Sequence, residues 1–366
     1  MLRESKSHWA SGLEDRLRER SLLVFAGLAK NVGKTTALNG VNAWFAQESV
    51  GITSIGYDGE AKDALYGHPK PPVRIYPGQL LLTAENFLVS SALSQAPIPY
   101  QVLERWGNHP QYGVWLILKA LEESDASVAG PSRLKELEEG IQHLRIWGAE
   151  RVHIDGALDR LSHLLLTDAG IVLSTGATVG RSLPEVRERT NQVLEWFSLP
   201  VAENFPQNQE AGGTGEQSRS RGTGLEGNKG RNAFRTKDEW HSLPGGLWLW
   251  DWCKVVPAKP EALYLSGAFT NQVYFALRER KRLPQRFYLD SPAQLLLTTT
   301  VWHGLKARGI EVYLRRKPKL VFLSLSPWHP LNPIPTEELA EALIPYSPVP
   351  LVDLVKQKIW YPHGSL

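Results

Sequence analysis

Between Gly27 and Thr36 the chain reads Gly-Leu-Ala-Lys-Asn-Val-Gly-Lys-Thr-Thr, residue types that at this spacing suit a polyanion. Holding a triphosphate requires backbone N–H groups turned into one concavity, an ammonium for the outer phosphates and a hydroxyl for Mg²⁺. Gly33 permits close backbone approach, Lys34 supplies the charge and Thr35 the magnesium ligand. Gly27, Lys30, Asn31, Val32 and Thr36 complete the expected binding stretch, and a helix opening at Thr35 adds its positive dipole end. The spacing is a variant of the common G-x-x-x-x-G-K-[ST] pattern: Leu28 stands where the first glycine belongs, and Gly27 precedes it.

Magnesium takes oxygen ligands, typically one or two carboxylates with phosphate oxygens and water. Asp155 ends the apolar run Val152-His-Ile-Asp155, where a strand would deliver a carboxylate to the carboxyl edge of a sheet, beside the phosphates. An ordinary strand-ending turn aspartate is the alternative. Asp58 and Glu60 follow a second apolar run; Asp58 is either a second metal ligand and water-positioning catalytic group beside Lys34, or part of a solvated acidic turn. Lys62 and Asp63 continue that turn and read as solvated. Ser174-Thr-Gly-Ala-Thr-Val-Gly180 closes a further apolar run and faces the same edge. No Asn/Thr-Lys-x-Asp tetrad in register follows a strand, so adenine is expected over guanine and the cofactor pair is ATP with Mg²⁺.

The elements around these residues read as alternating strands and helices. Leu22–Ala26 is a buried strand, Thr35–Gln47 an amphipathic helix and Gly51–Tyr57 a second strand. Pro131 begins a helix that runs to Trp147, with Leu134, Leu137, Ile141 and Leu144 on one face and Gly148 as its stop. Strands follow at Arg151–Ile154 and Gly170–Ser174. This alternation predicts an α/β fold, a mostly parallel sheet of the P-loop NTPase kind over residues 21–202, after a polar helix in residues 1–20. Seven glycines between Gly212 and Gly230, among polar residues, predict a disordered insertion over 203–238. Residues 239–366 read as a C-terminal α/β half, either a separate domain or the completion of the first sheet, with helices expected at Thr270–Arg280, Pro292–Arg308 and Glu337–Leu343.

Composition narrows the function classes. The net charge is only +3 and no basic stripe is interleaved with aromatics, which argues against nucleic acid as the main ligand. No apolar run approaches the roughly 20 residues needed to span a bilayer, and the polar start lacks a signal-peptide core. A soluble cytoplasmic protein with no membrane partner is expected. The one cysteine, Cys253, reads as packing, and ten scattered histidines show no metal-ligand spacing. His153, inside an apolar strand, also reads as packing.

The phosphate loop resembles that of dethiobiotin synthetase and of related signal-recognition-particle and MinD-type NTPases. Ala29 stands where their signature lysine lies, and Lys30 follows it. Taken with Gly51–Glu60, Ile154–Arg160, Ser174–Ala177, Ser324–Pro330 and Pro350–Asp353, the loop resembles the P-loop subunit of lysine 5,6-aminomutase reactivase. The resemblance implies a cytoplasmic ATPase that acts with a MutS-like partner subunit to expel damaged cobalamin from an adenosylcobalamin-dependent aminomutase. Lys34, Thr35 and Asp155 would then do the nucleotide work. Two other readings remain: a dethiobiotin-synthetase-like ligase or kinase using Lys30 or Arg181 near the γ-phosphate, and a nucleotide-binding scaffold that does not hydrolyse.

Overall fold

An apolar run without polar alternation needs cover on both faces, and Leu22–Gly27 obtains it as strand β1, well inside a 10-stranded sheet. The computed structural model describes residues 10–56, 72–87, 99–109, 112–156, 169–203, 232–236, 239–243, 249–317 and 319–362. The chain divides into two compact units, residues 1–195 with 318–366, and residues 196–317.

In the first unit α1 (Ser11–Arg18) precedes β1, and α2 (Lys34–Trp44) follows it. Strands β2 (Val50–Ser54), β3 (Val73–Ile75), β4 (Leu80–Ala84), β5 (Tyr100–His109), β6 (Gly113–Ala120) and β7 (Ser124–Ala126) lead to α3 (Leu134–Ile146). Then come β8 (Arg151–Asp155), β9 (Gly170–Gly176) and α4 (Leu183–Phe197). The second unit contributes β10 (Ala233–Thr236), β11 (Glu239–Ser242), α5 (Leu249–Val255), β12 (Ala262–Leu265) and β13 (Phe269–Thr270). It continues through α6 (Asn271–Glu279), β14 (Arg286–Leu289), β15 (Leu295–Leu296), α7 (Thr299–Ala307) and β16 (Glu311–Leu314). The chain then rejoins the first unit with β17 (Lys319–Ser326), α8 (Thr336–Leu343), β18 (Leu351–Asp353) and β19 (Lys358–Trp360).

The large sheet has the order β19-β18-β17-β9-β1-β8-β2-β4-β6-β5. Strands β18, β17, β9, β1, β8, β2 and β4 run parallel, and only β19, β6 and β5 pair antiparallel. The expected mixed α/β class with a mostly parallel sheet is therefore present. Parallel pairing collects the carboxyl ends of β17, β9, β1, β8 and β2 along one edge, where ligands of open α/β sheets gather.

One face of this sheet packs Leu23, Phe25, Ile52 and Phe322 with Leu38, Val41 and Phe45 of α2 in a single buried cluster. Leu13 and Leu17 of α1 belong to the same cluster. The expectation of a polar N-terminal helix needs that correction: four-residue spacing puts both leucines on one face, and that face is fully buried.

Three boundaries also differ from expectation. Helix α3 starts at Leu134, because Pro131 instead turns its carbonyl to the Gly56 N–H at 3.1 Å. Residues 239–366 do not act as one half: residues 239–317 belong to the second unit, whereas β17, β18 and β19 complete the first sheet. The expected helix over Pro292–Arg308 is divided into a short 3-10 turn at Pro292–Gln294, β15 and α7. Gln294 explains the break, since its amide donates to the carbonyls of Leu265 and Gly267 while its oxygen accepts from Asp290 and Ser291 N–H. Most of the insertion expected over 203–238 lies outside the described residues, but Ala233–Thr236 forms β10.

The second unit has its own sheet, β11-β10-β12-β14-β16, in which β12, β14 and β16 are parallel. Tyr264, Tyr288 and Tyr313 stand in register across those strands, and Tyr288 stacks on Tyr313 with centroids 5.5 Å apart. At the carboxyl ends Asp290 accepts a hydrogen bond from Tyr264 Oη at 3.0 Å and pairs with Arg315 at 3.0 Å. Burial, and next the Asp290 charge, push the Tyr264 phenol up, so it stays a donor. Cys253 is buried and its thiol is pushed up to about 11 by burial, in keeping with packing.

Candidate functional site

The loop from Leu28 to Gly33 leaves β1 at the carboxyl edge and turns straight into α2. Two residues curl it: Asn31 at φ 59° and Gly33 at φ 81°, both left-handed. Asparagine tolerates that conformation and glycine adopts it freely. Val32 is buried beneath the loop, so a Cβ at Gly27 would lie only 2.6 Å from Val32 Cγ1. Leu28 N–H donates to the Ser174 carbonyl at 3.0 Å, fastening the loop to the end of β9. The result is a tight backbone turn closed over the Val32 side chain.

Helix α2 begins with Gly33 as its N-cap residue, has no side-chain cap and carries no acid in its first turn. Its leading N–H groups are therefore left for another acceptor, the arrangement that suits an anion. Lys34 opens this helix, and its Nζ lies 3.1 Å from Asp155 Oδ1. Both side chains are mostly buried, at 22% and 18% exposure. Asp155 Oδ1 meets the ammonium as a charge pair; no aligned hydrogen bond reaches that oxygen among the described residues.

Strand register puts Asp155 there. It is the last residue of β8, directly opposite Phe25 on β1 and Ser54 on β2. The Asp155 carbonyl accepts from Ile55 N–H at 2.9 Å, and Gly156 N–H donates to the Phe25 carbonyl at 3.0 Å. Thus Asp155, far away in sequence, comes to the same edge as Lys34 and Thr35. Thr35 and Thr36 sit half-buried in the first turn of α2, and Lys30 is exposed on the loop. Asp58, with Glu60, Lys62 and Asp63, lies outside the described residues. Arg181 is exposed, and its backbone N–H donates to Glu185.

The root of the segment leading to Asp58 is held by a crossing strand of backbone. Gly130 lies so close to β2 that a Cβ would sit 2.0 Å from the Ser54 carbonyl oxygen. Ser54 Oγ accepts from Gly130 N–H at 2.9 Å and donates to the Gly56 carbonyl at 2.7 Å. These ties fix the carboxyl end of β2 beside Asp155.

One contributor, Ser326, has no site role in the sequence analysis, and it meets the already expected Ser174–Gly180 segment. Ser326, the end of β17, approaches the Leu28–Gly33 loop: a Cβ on Gly33 would be 3.2 Å from Ser326 Cβ. Gly176 sits against it on the other side, with no room for a side chain, its added Cβ falling 1.9 Å from the Ser326 carbonyl oxygen. The available signal was the apolar run of β17 ending in Ser-Pro-Trp, a strand end like those of β1, β8 and β9. The hydroxyls of Ser174 and Thr178, at the end of β9 and in the turn after it, are buried without hydrogen-bond partners among the described residues.

His153 does not reach the site. It is wholly buried between the edges of Phe25 and Phe45, each centroid 5.6 Å away, and both ring nitrogens lack hydrogen bonds among the described residues. Burial, helped by the nearby Arg151 charge, pushes its pKa down to about 3, so the ring packs as a neutral aromatic.

A hydroxyl and a carboxylate are hard oxygen donors, the set Mg²⁺ takes alongside phosphate oxygens and water. Among the described residues no group of three or more histidine, cysteine or acidic side chains could hold a metal by itself. Also among the described residues, no helix is long and apolar enough to cross a membrane. No protein-family model matches the chain, and neither a curated protein nor a solved structure matches it.

Proposed function

We propose that the first unit binds ATP with Mg²⁺ in the cradle from Gly27 to Thr36 and hydrolyses it, as a cytoplasmic nucleotide-driven switch. The observation that carries this reading is the Lys34–Asp155 pair, 3.1 Å apart, at the uncapped N-terminus of α2 and the carboxyl edge of a parallel sheet. A phosphate chain lying on the α2 N-terminus gives the Lys34 ammonium oxygens to exchange for Asp155. Asp155 and the Thr35 hydroxyl would then be the protein groups that hold Mg²⁺. Bound Mg²⁺ would supply neutralisation of charge on the outer phosphates. The protein's part is positioning and charge compensation, with no covalent intermediate.

Phosphate release from MgATP tests this. Wild-type protein turns over, and both Lys34→Ala and Asp155→Ala lose turnover by at least about tenfold, the scale of one charge-assisted contact. Equal, undiminished rates in both variants would remove the site from the chemistry.

The finer reading is reactivation of an adenosylcobalamin-dependent aminomutase together with a MutS-like partner subunit. It rests on the sequence resemblance through Gly27–Thr36, Ile154–Arg160 and Ser324–Pro330. Turnover stimulated by a cobalamin enzyme or partner subunit supports it, whereas stimulation by a small carboxylate points to a ligase of the dethiobiotin-synthetase type.

A further inference from the structure

The polarity of the cradle says where the rest of the ligand must go. Lys34 and Asp155 mark the β8 side of β1 as the place of the outer phosphates and the metal. A nucleoside attached to the inner phosphate therefore extends the other way, over the ends of β9 and β17, the next strands in the sheet. Three features meet there. The Ser326 side chain reaches the phosphate loop at Gly33. Close contact between Gly176 and the Ser326 carbonyl locks the loops after β9 and β17 together. Two residues beyond Ser326 stands Trp328, a large aromatic left 42% exposed.

The segment carrying Trp328 is shaped in advance. Ile334 N–H donates to the Pro327 carbonyl at 3.0 Å, and His329 Nδ1 accepts from Leu331 and Asn332 N–H at 3.1 and 2.9 Å. Pro327 and Pro330 restrict the backbone on either side of the aromatic. An exposed indole two residues beyond the strand end that meets Gly33 can serve a base, because every base has a π-face to stack. The partnerless Thr178 hydroxyl, on the β9 side, offers the polar contact such a nucleoside needs. Among the described residues no carboxylate lies between Ser174 and Gly180 or between Ser326 and Asn332, so guanine's N–H pair has no acid to read it.

We propose that Trp328 is the stacking platform for the nucleobase, with Thr178 as a polar nucleoside contact, so that this site selects its nucleotide by purine stacking. The proposal rests on the phosphate-cradle reading above. Inorganic tripolyphosphate, which has phosphates and no base, separates the two.

The test is calorimetric titration of wild-type protein, Trp328→Ala, Trp328→Phe and Lys34→Ala with MgATP, MgGTP, MgCTP and magnesium tripolyphosphate. Wild type should bind both purine nucleotides within a few-fold of each other and more tightly than MgCTP. Trp328→Ala should weaken MgATP by about five- to a hundredfold, the worth of one stacked base, and leave tripolyphosphate unchanged. Trp328→Phe should restore most of the loss, and Lys34→Ala should weaken every ligand. Unchanged MgATP affinity in Trp328→Ala overturns the platform while leaving the cradle standing. An equal loss of tripolyphosphate in that variant also overturns it, since the effect would then be structural. Failure of wild type to bind tripolyphosphate or any nucleotide removes the cradle and the platform together.

Discussion

Lys34 Nζ and Asp155 Oδ1 lie 3.1 Å apart across the carboxyl edge of β1 and β8, one at the first residue of a helix and the other at the last residue of a strand. The pair therefore joins helix α2 to strand β8 at the sheet edge. Although mostly buried, both groups keep some contact with water, which limits what the pair contributes to stability. Asp155→Ala is therefore expected to change the free energy of unfolding by less than about 1 kcal/mol while abolishing tight MgATP binding. Urea denaturation beside a binding titration checks both halves; a large stability loss would make Asp155 structural first.

Gly33 is one of the two left-handed residues of the loop. Its φ of 81° disfavours any L side chain, and an added Cβ meets Ser326 Cβ at 3.2 Å. Gly33→Ala should lose about 1–2 kcal/mol of stability and weaken tripolyphosphate as much as MgATP. Unfolding midpoints and both titrations read this out. Wild-type affinity for both ligands would show that the left-handed turn does not shape the cradle.

Two glycines with similar crowding should behave oppositely in severity. At Gly176 an added Cβ strikes the Ser326 backbone at 1.9 Å, whereas at Gly140 it strikes the end of the Leu82 side chain at 2.4 Å. Backbone cannot yield without moving β17, but a leucine can change rotamer. Gly176→Ala is expected to cost about 3 kcal/mol or more, and Gly140→Ala in helix α3 far less, partly offset by about 1 kcal/mol of helix propensity. Parallel melts of the two variants decide; similar losses would refute the distinction.

His153 gives the fold a pH dependence. Its native pKa, pushed down to about 3 from an ordinary 6.5, means that the unfolded chain takes up a proton before the folded one does. The stabilisation is fully present above pH 6.5 and is lost as pH falls towards 3. At pH 5 the loss should reach about 2 kcal/mol, and His153→Leu should abolish that share of it. Denaturation at pH 7.5 and pH 5 for wild type and variant measures the difference; identical pH slopes would show that the ring is not buried neutral.

The part of the fold legible in the sequence is the part written locally. The apolar run Leu22–Ala26, the Gly-Lys-Thr turn and the spacing of Leu38 and Val41 disclose β1, the loop and α2 without reference to distant residues. Asp155 was legible for the same reason, as the polar end of a short apolar strand. Long-range pairing was not legible. Lys319–Ser324 reads as a strand, but its place beside β9 depends on the whole second unit being spanned before the chain returns. Leu295 and Leu296 carry helical spacing with their neighbours, yet pairing with Phe269 and Thr270 draws them into β15. In α1 the many charges conceal two leucines that only the assembled core reveals as buried.

The most direct test of the polyanion cradle is the unfolding temperature of wild-type and Lys34→Ala protein, each with and without MgATP. At a nucleotide concentration a hundred times the wild-type dissociation constant, the wild-type folded state should gain about 2.7 kcal/mol and melt measurably higher. The Lys34→Ala protein, folded equally well alone, should gain well under half of that. A wild-type melt unmoved by saturating MgATP, MgGTP or magnesium tripolyphosphate would contradict the account.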